Sequence, residues 1–184
     1  MVPLLDLWIP VLVSAVVVFF ASSIIHMALK YHRKDFLGLP QEEAVRSALK
    51  GVGPGQYMFP YCSDMKDMRT PEMQKKFSEG PVGIVTLRHP GMINMGPLLT
   101  QWLIYCIFIS FICAYIAHAT LTVGTEYLKV FQVVGTAAWL GYGGSTISQG
   151  IWQSRPWSTV MKDLFDGLVY GLLTAGVFGW LWPR

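Results

Sequence analysis

Four long apolar stretches constrain the fold of this chain more than any other feature of its sequence. They run over residues 7–29, 97–119, 127–151 and 160–182, and a mainly polar insert at 30–96 separates the first from the second. Each stretch has about the 20 residues that a helix needs to cross the hydrocarbon core of a bilayer. The pattern therefore predicts an all-α membrane protein, a single domain over 1–184 built as a bundle of four transmembrane helices.

The composition excludes several other classes of protein. Hydrophobic residues make up 53% of the chain and charged residues only 14%, whereas a soluble domain carries about 25% charged residues. The net charge of +3 is too small to indicate a nucleic-acid partner. We expect the partners to be the lipid bilayer and other membrane-protein subunits, and we expect no nucleic acid.

The basic residues predict the orientation of the helices. All of the 14 Lys and Arg residues except Lys129 and Arg184 fall in the insert or near the turn between the third and fourth stretches. Lys and Arg accumulate in cytoplasmic loops. The insert is therefore expected in the cytoplasm and both termini outside.

Small residues predict how the helices pack. Gly167, Gly171, Ala175 and Gly179 recur at intervals of four, a pattern that lets two helix backbones approach closely in lipid. Similar patches are expected in the second and third helices, at Cys106, Ser110, Cys113 and Ala117 and at Gly141, Gly144, Ser145 and Ser148.

The insert predicts short elements. Segments 40–50 and 70–80 have the polar beginnings and terminal glycines of short helices, and 83–87 is typical of one short strand. Segment 51–62 has too many Gly and Pro residues for regular structure.

One polar site is predicted at the cytoplasmic end of the bundle. His26 ends the first helix, Gln149 ends the third, and Asp166 begins the fourth, with Gln153 and Arg155 in the turn between the last two. Helix ends in a bundle lie close together, so these side chains are expected to converge. Arg155 is the anchor, because a guanidinium holds a carboxylate or a phosphate through two hydrogen bonds. The alternative is that Arg155 only fixes the turn to a neighbouring acid.

Soft metal ligands in the insert offer another kind of site. Thioether and thiolate sulfur atoms suit Cu(I), and the candidates are Met58, Cys62, Met65, Met68 and His89. Their spacing is irregular, and Met fills gaps in many protein cores. We therefore predict no metal and no cofactor.

Several segments resemble a family of small bacterial four-helix inner-membrane proteins classed as a domain of unknown function. The resemblance is carried mainly by GIWQSRPWS at 150–158 and DGLVYGLLTAGVFGWLWP at 166–183, and also by 131–143 and 53–62. It implies a four-span layout in a bacterial inner (cytoplasmic) membrane. It implies no activity, cofactor or catalytic residue.

The shortage of titratable groups in the spans favours a non-catalytic role. Catalysis needs converging ionisable side chains, and a carrier normally shows repeats or broken helices. We therefore expect an accessory or structural subunit associated with other membrane proteins. Two alternatives stay open: a small carrier or enzyme with its site at the cytoplasmic end of the bundle, and a metal or cofactor binder that uses the Met-, Cys- and His-rich insert.

Overall fold

The computed structural model describes all 184 residues, and most of them are helical. The elements are α1 (Trp8–Met27), α2 (Glu42–Ala48), β1 (Gly55–Phe59), α3 (Pro71–Glu79), β2 (Gly83–Leu87), α4 (Met95–Thr120), α5 (Tyr127–Trp152) and α6 (Trp157–Trp180). The predicted all-α class is confirmed, with one small two-stranded sheet added to it. The chain forms two compact units, Met1–Leu37 with Asn94–Arg184, and Gly38–Ile93.

Two helical segments are long and apolar enough, by length and composition, to cross a membrane. They are Leu4–Met27, which is α1 with the 3-10 turn before it, and α4. Helices α5 and α6 have 26 and 24 residues, so they are as long as the other two. They are less apolar on average, because α5 is rich in Gly, Ser and Thr and α6 contains Lys162, Asp163 and Asp166.

In the first unit, the four long helices pack as a bundle. Both α1 and α5 contact α4 and α6. The interior is apolar, with Val18, Val134 and Phe178 fully buried. The Ser14 hydroxyl also donates a hydrogen bond to Ser110 Oγ at 3.0 Å, which joins α1 to α4.

The closest approach between backbones is that of α5 and α6. A Cβ atom on Gly167 would lie 2.9 Å from the Cα atom of Gly143, and one on Gly171 would lie 3.1 Å from the backbone nitrogen of Trp139. A side chain at Gly167 would therefore collide with the backbone of α5, and one at Gly171 would require that backbone to move by a few tenths of an ångström. The stripe predicted in the fourth helix is thus confirmed as a helix–helix contact within the chain.

The predicted packing faces of the second and third helices have different outcomes. In α4 the patch is confirmed, since all of its members are buried: Cys106, Ser110, Cys113 and Ala117. In α5 the predicted patch is wrong, because Gly143, Thr146 and Gly150 are buried instead, while Gly144, Ser145 and Ser148 are exposed. Small residues lie on several faces of α5, and the close approach of α6 decides which face is buried.

The second unit, Gly38–Ile93, contains α2, α3 and an antiparallel pair of strands in which Tyr57 lies opposite Val85. The elements predicted at 40–50, 70–80 and 83–87 are confirmed as α2, α3 and β2. The prediction of no regular structure in 51–62 is wrong, because β1 forms there. Gly51, Gly53, Pro54 and Pro60 flank the strand, which begins at Gly55, and β2 supplies the hydrogen-bonding partner. No residue of this unit is buried.

The α5–α6 contact predicts that Gly167→Ala destabilises the fold. Overpacking costs about 1–3 kcal/mol, so the melting temperature of the purified protein in detergent should fall. Gly144→Ala is the matched control, since a Cβ atom there meets nothing within 4 Å. Its melting temperature should equal or exceed that of the wild type, because Ala favours a helix over Gly by about 1 kcal/mol. Equal melting temperatures for Gly167→Ala and the wild type would contradict this packing.

Candidate functional site

Asp166, in the first half of α6, is the charged residue most deeply buried in the bundle, with only 3% of its surface exposed. A carboxylate in such a place must be hydrogen-bonded or paired. The Tyr31 hydroxyl donates a hydrogen bond to its Oδ1 atom. His32 Nε2 lies 2.8 Å from its Oδ2 atom, and His26 Nε2 lies 3.9 Å from the same oxygen. Both carboxylate oxygens are thus met by side chains from the end of α1 and the residues after it.

His32 lies between two carboxylates. Its Nδ1 atom is 2.6 Å from Asp35 Oδ2, while Lys162 Nζ donates to Asp35 Oδ1 at 2.5 Å and to the Tyr31 carbonyl oxygen at 2.7 Å. We call this set the His–Asp network: His26, Tyr31, His32, Asp35, Lys162 and Asp166.

A 3-10 turn brings the network together. The helix Tyr31–Lys34 follows α1 after a short break and is capped by Asp35. Side chains three residues apart lie on the same face of a 3-10 helix, so His32 and Asp35 meet. The turn thereby presents Tyr31, His32 and Asp35 together to α6.

The network also determines which of its members are charged. Burial alone would raise the pKa of Asp35, but the hydrogen bonds from Lys162 and His32 outweigh burial and hold this pKa below its usual value. Burial raises the pKa of Tyr31, and its hydrogen bond to Asp166 raises it further. Near neutral pH, Asp35 is therefore ionised and Tyr31 is a protonated hydrogen-bond donor.

The structure places the five side chains predicted to converge in different surroundings; they are His26, Gln149, Gln153, Arg155 and Asp166. His26 and Asp166 belong to the His–Asp network. Arg155 instead donates to Gln149 Oε1 at 3.0 Å and pairs with Asp163 Oδ2 at 2.5 Å. Gln153 caps the end of α5 through its backbone, and its side chain is exposed.

Sequence reasoning missed Tyr31, His32, Asp35 and Lys162 as members of a site. The available signal was local, since His26, His32 and Asp35 lie within ten residues in a chain that has only four histidines. Nothing in this segment by itself points to Asp166, which lies 134 residues after His32 in the sequence.

The soft ligands of the insert are arranged differently from the network. Met58, Met65 and Met68 are exposed, His89 is exposed as well, and the Cys62 thiol donates to the Asp64 carbonyl oxygen. The group of three metal-ligating side chains that the structure assembles is His26, His32 and Asp166, whose ligand atoms all lie within 4.8 Å of one another.

In comparisons with protein families, curated proteins and solved structures, nothing matches this chain. Two imidazole rings and two carboxylates, with a lysine and a phenol attached to them, can hold a proton or a cation between a histidine nitrogen and a carboxylate oxygen.

The lowered pKa of Asp35 predicts how acid affects the fold. An unfolded aspartate has a pKa of about 3.9, so the interactions of Asp35 stabilise the fold fully above that value and are lost as the pH falls through the lower folded pKa. We expect Asp35→Asn to lower the melting temperature near neutral pH and to lose less stability than the wild type on acidification. Thermal unfolding in detergent at a series of pH values measures both effects.

Asp67→Asn is the matched control for this experiment, because Asp67 is an exposed acid of the insert. Its melting temperatures should follow those of the wild type at every pH. Parallel curves for Asp35→Asn and the wild type would contradict the assignment of this acid-sensitive step to Asp35.

Proposed function

We propose that the protein is an integral protein of a bacterial inner membrane, with four spans and both termini outside. The outward face of α6 supports a third and fourth span, since it is apolar along its length at Met161, Phe165, Leu168, Leu172 and Trp180. Apolar surface of this extent is rare on proteins that face water. A helix of 24 residues is about 36 Å long, which exceeds the hydrocarbon thickness of about 30 Å.

The polar residues of α6 are compatible with a span because they are paired. Lys162 and Asp166 belong to the His–Asp network, and Asp163 pairs with Arg155. Charged side chains near the end of a span are tolerated when they face the bundle and have partners. Helix α5 contains only one charged residue, Lys129 near its beginning.

Labelling of two introduced cysteines, in separate variants that keep the buried Cys106 and Cys113, distinguishes four spans from two. Val123 precedes α5 and Ser154 follows it, and both are exposed. In a Cys62→Ser background, Val123→Cys should react with a membrane-impermeant maleimide on intact cells, and Ser154→Cys should react only after the cells are opened. If α5 and α6 do not cross the membrane, the two positions lie on the same side and react alike.

We further propose that the protein is a non-catalytic accessory subunit whose insert binds a protein partner. The observation that carries this proposal is that no residue between 38 and 93 is buried. Five of the exposed side chains are large and apolar or aromatic: Tyr57, Met58, Phe59, Tyr61 and Met65. Aromatic residues and Met are enriched at protein–protein interfaces, which is why we assign this surface to a partner.

The strand pair is the part of the insert best suited to binding. Tyr57 and Phe59 are exposed on one face, and Met58 and Ile84 are exposed on the other. The sheet has only two strands, so each strand has an outer edge with unpaired backbone groups. An isolated two-stranded sheet is only marginally stable, and a strand or helix from a partner would complete it.

The charge of the second unit, Gly38–Ile93, favours a protein over a lipid surface. Residues 38–93 contain seven Lys and Arg against six Asp and Glu. Binding to anionic lipid headgroups normally uses a cluster of basic residues with a clear excess of positive charge. With its charges nearly balanced, the second unit is better matched to a protein surface; the further basic residues Lys30, Arg33 and Lys34 precede it and belong to the first unit.

The partner is tested with Met58→Ser, which removes an exposed apolar side chain from β1. We expect the complex purified from native membranes in mild detergent to contain a second protein in fixed stoichiometry, as measured by native mass spectrometry. Met58→Ser should weaken that complex by about tenfold, the equivalent of about 1.4 kcal/mol. Lys75→Ser, at an exposed position of α3, is the control and should leave the complex intact. A wild-type protein that carries only lipid would contradict the proposal.

A further inference from the structure

We infer that His26, His32 and Asp166 bind a divalent transition-metal ion of the zinc class. This inference concerns the bundle and stands apart from the binding surface proposed for the insert. Each of the three side chains offers one ligand atom, and these atoms lie within 4.8 Å of one another. Two imidazole nitrogens and a carboxylate oxygen form a donor set that suits Zn²⁺ and Fe²⁺ better than Cu(I), Ca²⁺ or Mg²⁺.

Two of the three distances between ligand atoms are close to those of a metal site, and the third, between the two histidine nitrogens, is at most 4.8 Å. Asp166 Oδ2 is 2.8 Å from His32 Nε2 and 3.9 Å from His26 Nε2. Ligand atoms of tetrahedral zinc lie about 3.3 Å apart, because each bond is about 2.0–2.1 Å long. The two observed distances fall on either side of this value. Changes of about half an ångström, within reach of side-chain rotation, would bring both to it.

The contact between His32 and Asp166 requires a positive charge. Asp35 accepts a hydrogen bond from Nδ1 of His32, so in the neutral ring Nε2 carries a lone pair. That lone pair faces Asp166 Oδ2 at 2.8 Å, and two lone pairs repel each other at this distance. Either a proton or a metal ion between the two atoms turns the repulsion into attraction.

The residues around the three ligands have the arrangement found around protein-bound metals. A metal-ligating histidine usually donates its other N–H group to a carboxylate or a carbonyl oxygen, which fixes the ring. Asp35 does this for His32, and Lys162 in turn holds Asp35. Tyr31 donates to Oδ1 of Asp166, which leaves Oδ2 directed at the two histidines.

The site also has a route by which an ion can enter. The His26 side chain is 52% exposed, whereas that of Asp166 is 4% exposed. An ion would therefore reach the buried carboxylate from the side of His26. Three protein ligands leave one position of a tetrahedral zinc ion for water or for another small ligand.

Calorimetric titration of Zn²⁺ into the full-length protein tests the inference. The protein is purified in detergent through a tag that contains no histidine and is treated with a chelator before the titration. We expect one equivalent of Zn²⁺ to bind, and the melting temperature to rise with added Zn²⁺ because the ion binds the folded state. Co²⁺ bound in place of zinc should give the visible absorption of a four-coordinate ion. Absence of saturable binding by the wild type would overturn the inference.

Three variants assign the binding to these residues. His26→Ala should abolish it, and the metal-free variant should still unfold cooperatively, because the exposed His26 ring approaches Asp166 only to 3.9 Å. Asp35→Asn should weaken it by about 10- to 100-fold, since Asp35 orients a ligand without contacting the metal. His89→Ala, at an exposed histidine of the insert, is the control and should bind as the wild type does. Wild-type affinity in His26→Ala, or loss of binding in His89→Ala, would overturn the inference.

Discussion

The burial of the Asp166 carboxylate imposes the arrangement of the chain around it. A buried ion that loses its partner costs about 3–5 kcal/mol, so the side chains that meet Asp166 must be held in place by the fold. They come from the residues after α1, where Tyr31 and His32 point at the two oxygens of Asp166. The chain therefore stays against α6 for one 3-10 turn before it enters the insert, and the first unit extends to Leu37.

Helix α6 makes two different kinds of contact in the bundle, one between polar side chains and one between helix backbones. Asp166 and Gly167 are neighbours in the sequence, and successive residues of an α-helix point about 100° apart. Asp166 consequently meets the end of α1 and the turn after it, whereas Gly167 meets the backbone of α5 at Gly143. The first contact depends on charge and hydrogen bonds, and the second depends on the absence of a side chain. The first half of α6 is thus fixed from two sides by unrelated interactions.

Local patterns in the sequence predicted much of the fold. Apolar length indicated the long helices, capping residues such as Thr70 and Gly80 indicated α3, and the spacing of small residues indicated the close contact of α6. What the sequence did not predict depends on partners distant in the chain. Strand β1 needs β2, and the buried face of α5 is selected by Gly167. In the His–Asp network, Asp166 meets a histidine 134 residues away, and no local pattern encodes that distance. The four-span layout stays a prediction.

The average apolarity of α6 is a poor measure of its outward surface, because the average includes side chains that face the interior of the protein. Three polar residues of α6 are engaged inside the protein: Thr174 bonds to its own helix, Lys162 to Asp35, and Asp166 to Tyr31 and His32. Three of its glycines, Gly167, Gly171 and Gly179, are buried against α5. The surface that remains is made of large apolar side chains from Met161 to Trp180. A bilayer would meet only that surface, so the lower average of α6 reflects how its interior is built and does not count against a span.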